Sequence, residues 1–368
     1  MDNKKKYLPV VSIIGAVWLS LAIWSWAKAP KAFSFSERRK LEQFPAVSVD
    51  SVLDGEFMPN FEKYTLDQFP LRDSFRTLKG TASFYLFGQK DNNKIYIADG
   101  YAAKLEYPLN EKSLLYAAEK FTALYNTYLK DKNTKVYFSV VPDKSYFLAA
   151  PNGYPSLDYP KLFATMQENL TFAQYIDITG ELKISDYYKT DTHWRQEKLT
   201  GVAEKLKREM LLSPTVMPDY SLITPAVPFY GVYYSQSALP LKSESLIYMT
   251  DPILEQCTVF NAETGKTGGI YDLAKLTGND AYEVFLSGAA ALLTIENPNA
   301  GNDRELVVFR DSFGSSLIPL LAQGYAKTTL IDTRYLASDY VGKYVTFADQ
   351  DVLFLYSTLI LNNSQSLK

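Results

Sequence analysis

One histidine occurs among the 368 residues, His193, in the run YYKTDTHW two positions after Asp191. Farther along, ELVVFRDSFGSS reads as an apolar strand over 305 to 310 that breaks at Asp311 into Ser312, Phe313 and Gly314. A serine hydroxyl is a weak nucleophile until a base takes its proton, and imidazole suits that task near neutrality. A carboxylate must then orient the ring and stabilise its charged form. Asp191 is placed for this, because residues i and i+2 of an extended segment point the same way. A serine opening a helix also gains backbone N–H donors for a developing oxyanion, its own N–H among them. Gly288 in FLSG and Asn279 in TGND are candidates for further donors. The chemistry on offer is acyl transfer or ester hydrolysis through Ser312, His193 and Asp191. Taken singly, each run has a plainer reading, Asp-x-His as an ordinary packed pair and Asp311 as a helix cap. Their joint presence carries the expectation.

Composition narrows the alternatives. A formal net charge of -3 lacks the basic excess that nucleic-acid binding needs. With Cys257 as the single cysteine, neither an intramolecular disulfide nor a thiolate zinc site can form, and Cys257 reads as a small buried hydrophobe. One histidine also excludes multi-histidine metal sites. Tyrosine (28) and phenylalanine (21) are abundant enough to line grooves as well as the core. Tyr188 and Trp194, flanking His193, are therefore candidates for sugar contact or for core packing. Arg334 and Asp332, at a predicted strand end, read as a salt bridge or as substrate contacts, and Asp143 and Lys144 divide the same way.

The elements that must position these residues begin with a membrane signal. Tyr7 to Ala27 carries no charged residue and follows Lys4, Lys5 and Lys6. As a helix it spans about 30 Å, the thickness of a bilayer core. With Trp18, Trp24 and Trp26 it reads as an uncleaved anchor with a cytoplasmic N-terminus, a cleaved signal peptide being the alternative. Either way the bulk of the chain lies outside the cytoplasm. Residues 1–28 form the tip and anchor, 29–90 a proline-punctuated stalk and helical lead-in that Pro70 interrupts, and 91–368 the main domain. There KIYIADG (94 to 100), KVYFSVVP (135 to 142), 305 to 310, KTTLIDTR (327 to 334) and DVLFLYST (351 to 358) read as strands. Helices are expected over 110 to 132 with Asn110 as N-cap, within 195 to 212, and at 314 to 325 and 336 to 345. A Pro- and Tyr-rich irregular region runs to about 240. The alternation implies βαβ units, a largely parallel sheet covered on both faces, and ligands at the carboxyl ends of its strands.

TDTHW (190 to 194) and RDSFGSS (310 to 316) resemble the signature runs of the DHHW family, which is similar to the SGNH-hydrolase-like domains of alginate O-acetyltransferases. FSERRKLEQFP (35 to 45), DQFPLRD, VVPDKSYF, FLSG, IDTRYL and DVLFLYS extend the likeness over nearly the whole chain. Thr192 stands where the family name has His, and Arg310 where Gly or Lys is usual; neither change removes a triad member. The resemblance implies an α/β, SGNH-hydrolase-like (flavodoxin-like) domain with its motifs in circularly permuted order, Asp-x-His before serine, behind an N-terminal transmembrane helix. It implies Ser312 as nucleophile, His193 as base and Asp191 as its orienting acid, with no metal or organic cofactor. The implied activity is extracytoplasmic O-acetylation of a cell-surface or secreted polysaccharide, with a multispanning membrane O-acyltransferase supplying acetyl groups. An acetyl esterase of the same fold, or a non-catalytic glycan-binding or assembly protein, are the alternatives.

Overall fold

The computed structural model describes residues 3–34, 36–212 and 218–368. Residues 1–2 of the expected cytoplasmic tip, the first residue of the run 35 to 45, and 213–217 of the irregular region lie outside the described residues. Two compact units emerge, Met1–Asn92 with Ser235–Pro240, and Asn93–Tyr234 with Leu241–Lys368.

The smaller unit opens with α1 (Asn3–Ala27), whose stretch Tyr7–Ala27 has a mean hydropathy of 1.9 and is long enough to cross a bilayer. Helices α2 (Phe57–Asp67) and α3 (Arg72–Thr81) follow, separated at Pro70 as the sequence suggested. The stretch read as a stalk has structure of its own. A short hairpin pairs Phe33–Ser34 with Arg39–Lys40, and Arg39 donates to both carboxylate oxygens of Asp67 on α2.

In the larger unit, β1 (Lys135–Val141), β2 (Gln174–Tyr175), β3 (Thr258–Asn261) and β4 (Lys266–Gly268) belong to one sheet. The rest of that sheet is β5 (Leu292–Glu296), β6 (Glu305–Arg310), β7 (Lys327–Ile331) and β8 (Asp351–Ser357). The spatial order is β4-β3-β5-β7-β6-β8-β1-β2. From β7 to β2 all neighbours run parallel, while β5, β3 and β4 add an antiparallel edge. Helices α4 (Glu111–Leu124), α5 (Tyr159–Asn169), α6 (Thr200–Glu209) and α7 (Gly314–Ala322) cover it.

Strand alternation divides the core. Leu306 and Val308 of β6, with Leu353 and Leu355 of β8, join Val202 and Leu206 of α6 and Ile318 of α7 in one cluster. Val307, Phe309, Val352 and Phe354 join Leu114 and Phe121 of α4 and Met166 of α5 in the other. Burial on both faces explains why these strands read as unbroken apolar runs. Each such side chain contributes about 1.5–3 kcal/mol. Asn110 caps α4 by accepting from the Ser113 N–H.

Two expectations change. Ile95–Ala98 pairs antiparallel with Tyr101–Lys104 in a separate small sheet. Its turn residues Asp99 and Gly100 both have positive φ (49° and 79°), the conformation that closes a two-residue hairpin. The segment 336 to 345 holds a 3₁₀ turn, Ser338–Lys343, instead of an α-helix. The helix expected within 195 to 212 is present as α6, preceded by a 3₁₀ turn at Gln196–Lys198.

Candidate active site

Five parallel strands end along one edge, and Ser312 follows one of the inner ones, β6, two residues after Arg310. The turn is built by Asp311, buried, whose carboxylate accepts the N–H of Phe313 (3.0 Å) and, across the strand ends, that of Ser357 (2.7 Å). Asp311 thus braces the turn, while the cap position of α7 is Phe313, which has no side-chain cap bond, so the reading of Asp311 as the helix cap does not hold. Gly314 and Ser315 donate to the carbonyls of Asp311 and Ser312 as α7 begins. The N–H of Ser312 has no partner among the described residues, leaving it for an oxyanion.

His193 lies against this turn. Its Nε2 is 2.8 Å from Ser312 Oγ and its Nδ1 is 2.6 Å from Asp191 Oδ1. These partners select the tautomer in which Nδ1–H donates to the carboxylate and Nε2 accepts from the serine hydroxyl. Asp191 and His193 meet in a bend closed by a bridge between Tyr187 and Trp194, not in the extended segment expected. The same Asp191 Oδ1 accepts the His193 N–H at 3.0 Å, and Oδ2 accepts the Val232 N–H at 2.7 Å. Asp191 is buried, whereas Ser312 is partly exposed and within reach of a substrate.

Sequence reasoning missed what holds the bend. Thr190 donates from N–H and Oγ1 to Glu244, and accepts the Gly231 N–H. Tyr282 stacks on the imidazole with centroids 3.9 Å apart and planes 5° from parallel, its hydroxyl 2.8 Å from Ser316 Oγ. Nothing in sequence spacing marks Glu244, Tyr282 or Gly231 as neighbours of His193. A Cβ built on Gly231 would stand 2.3 Å from Asp191 Cα, so only glycine fits. Gly231→Ala is expected to shift the carboxylate and cut turnover about 10²-fold, as small misplacements do. Steady-state kinetics beside a thermal melt would separate that loss from unfolding.

Below the bend sits Lys144, buried, with Nζ donating to the carbonyls of Tyr188 (3.0 Å) and Lys189 (3.3 Å) and lying over the Tyr233 ring. Tyr233 in turn donates to Thr192 Oγ1. Burial pulls Lys144 down to about 7, against the opposing charges of Asp191, Glu244 and Asp143. Below that value folded and unfolded chains both carry the proton. Above it the folded chain has lost a proton that a free lysine keeps until its ordinary value of 10.5. Stability relative to Lys144→Met therefore rises between about pH 7 and pH 9, by roughly 1 kcal/mol per unit. Denaturant titration of both proteins across that range measures it. Asp143 is equally buried and accepts from Tyr159, Thr358 and the Ser145 N–H, a structural knot rather than a substrate contact.

The other expected residues are placed as follows. Tyr188 and Trp194 have no exposed surface, which corrects the expectation of sugar contact. Tyr188 packs edge-on against Phe229. The Trp194 indole N–H donates to the Phe313 carbonyl and Ser316 Oγ, both 3.0 Å away, tying the histidine loop to the serine turn. The Gly288 N–H donates to the Phe285 carbonyl and is not free for an oxyanion. Asn279 lies exposed in a turn, with no bond to the Ser312–His193 pair. Arg334 grips the buried Asp332 through Nε and Nη2, the salt bridge foreseen as one alternative. Cys257 is buried, and burial pushes its thiol up to about 11. No group of three His, Cys, Asp or Glu side chains converges among the described residues.

Solved structures share this arrangement of elements. The chain is similar to a DHHW family protein from Eubacterium siraeum, with a TM-score of 0.60 at 19% identity, covering 75% of this chain and 95% of that one. It is also similar to Bacillus cereus PatB1 with a sulfonyl adduct, with a TM-score of 0.56 at 20% identity over 73% and 94% of the two chains. The O-acetyltransferase domain of Pseudomonas putida AlgJ aligns more loosely, with a TM-score of 0.45 at 13% identity over 73% and 92%. No family model matches the chain, and no curated protein matches it. Over about 75% of its length, this chain has the α/β fold of the DHHW family protein, the fold that TDTHW and RDSFGSS led us to expect.

Proposed function

We propose that the protein is an O-acetyltransferase that acetylates a cell-surface or secreted polysaccharide through an acetyl-Ser312 intermediate. The observation that carries this reading is the hydrogen-bonded chain Ser312–His193–Asp191 at the carboxyl edge of the sheet. As Ser312 Oγ attacks an acetyl carbonyl, His193 Nε2 takes its proton and Asp191 holds the imidazolium. The oxyanion meets the Ser312 N–H; on collapse the donor's leaving group departs with the proton from His193. In the second half a sugar hydroxyl gives its proton to Nε2 and attacks the acetyl-serine, and the returned proton restores Ser312. Water in the sugar's place would make the same site an esterase.

The apolar helix α1 supports membrane attachment. In our reading Lys4 to Lys6 stay cytoplasmic, the large unit is extracytoplasmic, and a multispanning membrane O-acyltransferase delivers the acetyl group. The test incubates full-length protein with a chromogenic acetyl ester, with and without oligosaccharide acceptors, and follows products by mass spectrometry. Acetylated sugar is the expected product. Free acetate alone, whatever the acceptor, would replace the transferase with the esterase.

A further inference from the structure

At the carboxyl end of α1 the smaller unit holds a cleft of about 790 Å³. Trp24, Phe33, Phe69 and Leu71 give it an apolar wall, and Lys28 and Lys31 also line it. The other charged residues that line the cleft, Arg72, Asp67 and Asp73, are paired. Arg39, Arg72 and Arg76 meet Glu37, Asp67 and Asp73 in one network, with contacts from 2.5 to 3.7 Å. The two carboxylates that line the cleft, Asp67 and Asp73, both belong to that network. Ser36 Oγ also donates to Asp73. Lys28 and Lys31 have no acidic partner among the described residues. Partial burial, with the neighbouring Lys31 charge, holds Lys28 below the ordinary lysine value. Two uncompensated ammonium groups beside an apolar wall, where a spanning helix leaves the bilayer, suit a ligand with an anionic head and a hydrocarbon tail.

We propose that this cleft binds an anionic phospholipid, its phosphate between Lys28 and Lys31 and an acyl chain along Trp24 and Phe33. The proposal rests on α1 being a membrane anchor. Retention in membranes after alkaline carbonate washing tests the anchor separately, so failure of one is distinguishable from failure of the other.

Full-length protein in detergent, offered phosphatidylglycerol, phosphatidylcholine or inorganic phosphate, would be examined by native mass spectrometry. Wild type is expected to retain one phosphatidylglycerol in preference to phosphatidylcholine. Lys28→Gln with Lys31→Gln should weaken that binding by about tenfold to thirtyfold. The Lys28→Arg, Lys31→Arg pair should restore it, and ester turnover should be unchanged in both, showing that the fold is intact. Equal retention of the two lipids, or no effect of the glutamines, would overturn the proposal. Displacement of the lipid by inorganic phosphate would also overturn it and make the cleft a free-anion site.

Discussion

Ser312→Ala is expected to lower acetyl-ester turnover by at least about 10⁴-fold while leaving the fold unchanged. The substitution deletes the one atom that His193 Nε2 contacts at 2.8 Å and nothing that supports the turn. Asp311 still accepts from Phe313 and Ser357, and Trp194 still donates to the Phe313 carbonyl. Because Ser312 is partly exposed, its loss opens no internal cavity, and the change in stability should stay within about 0.5 kcal/mol. Adding His193→Ala to Ser312→Ala should cost almost nothing further, since groups acting as one unit are not additive. A melt and steady-state rates on the single and double variants check both statements. Unaltered turnover in Ser312→Ala would deny Ser312 its role as nucleophile, and wild type as inert as the variant would move the non-catalytic binding role to the front.

Asp191→Asn should be nearly as damaging, lowering turnover by about 10⁴-fold, for a different reason. The Asp191 carboxylate meets donors on both oxygens, His193 Nδ1–H and N–H on Oδ1 and the Val232 N–H on Oδ2. An amide must turn its NH₂ toward one of these sides. Facing Val232, it sets two buried donors against each other, a cost of about 1–3 kcal/mol. Facing His193, it requires the tautomer with hydrogen on Nε2, which cannot take the Ser312 proton. Turnover should partly recover at alkaline pH, where hydroxide can take the serine proton in place of the imidazole. A rate–pH profile for wild type and variant reads that directly, and a variant profile parallel to wild type would deny Asp191 its orienting role.

Much of the fold was legible because its central strands are buried on both faces. Residues 135 to 141, 305 to 310 and 351 to 357 are unbroken apolar runs for that reason. The antiparallel edge was not: β3 and β4 are short and partly exposed, so no apolar run announces them. Ser312, His193 and Asp191 stood out because two unusual runs coincide with the single histidine. Glu244, Gly231 and Tyr282 did not, because each reaches the histidine loop by tertiary contact, Glu244 from a two-residue strand, Tyr282 from a 3₁₀ turn and Gly231 from a loop. Tyr188 and Trp194 were read as possible sugar contacts from adjacency to His193 alone. Their burial shows that the bend turns His193 toward Ser312 and its neighbours into the core.

The central claim is that Ser312 becomes acetylated. Rapid acid quenching of full-length protein during turnover of an acetyl ester, followed by peptide mass spectrometry, tests it most directly. The account predicts one acetyl group on the peptide carrying Ser312, absent in Ser312→Ala and strongly diminished in His193→Ala. Rapid turnover with the acetyl group on another residue, or with Ser312 modified equally in the His193→Ala protein, would contradict it.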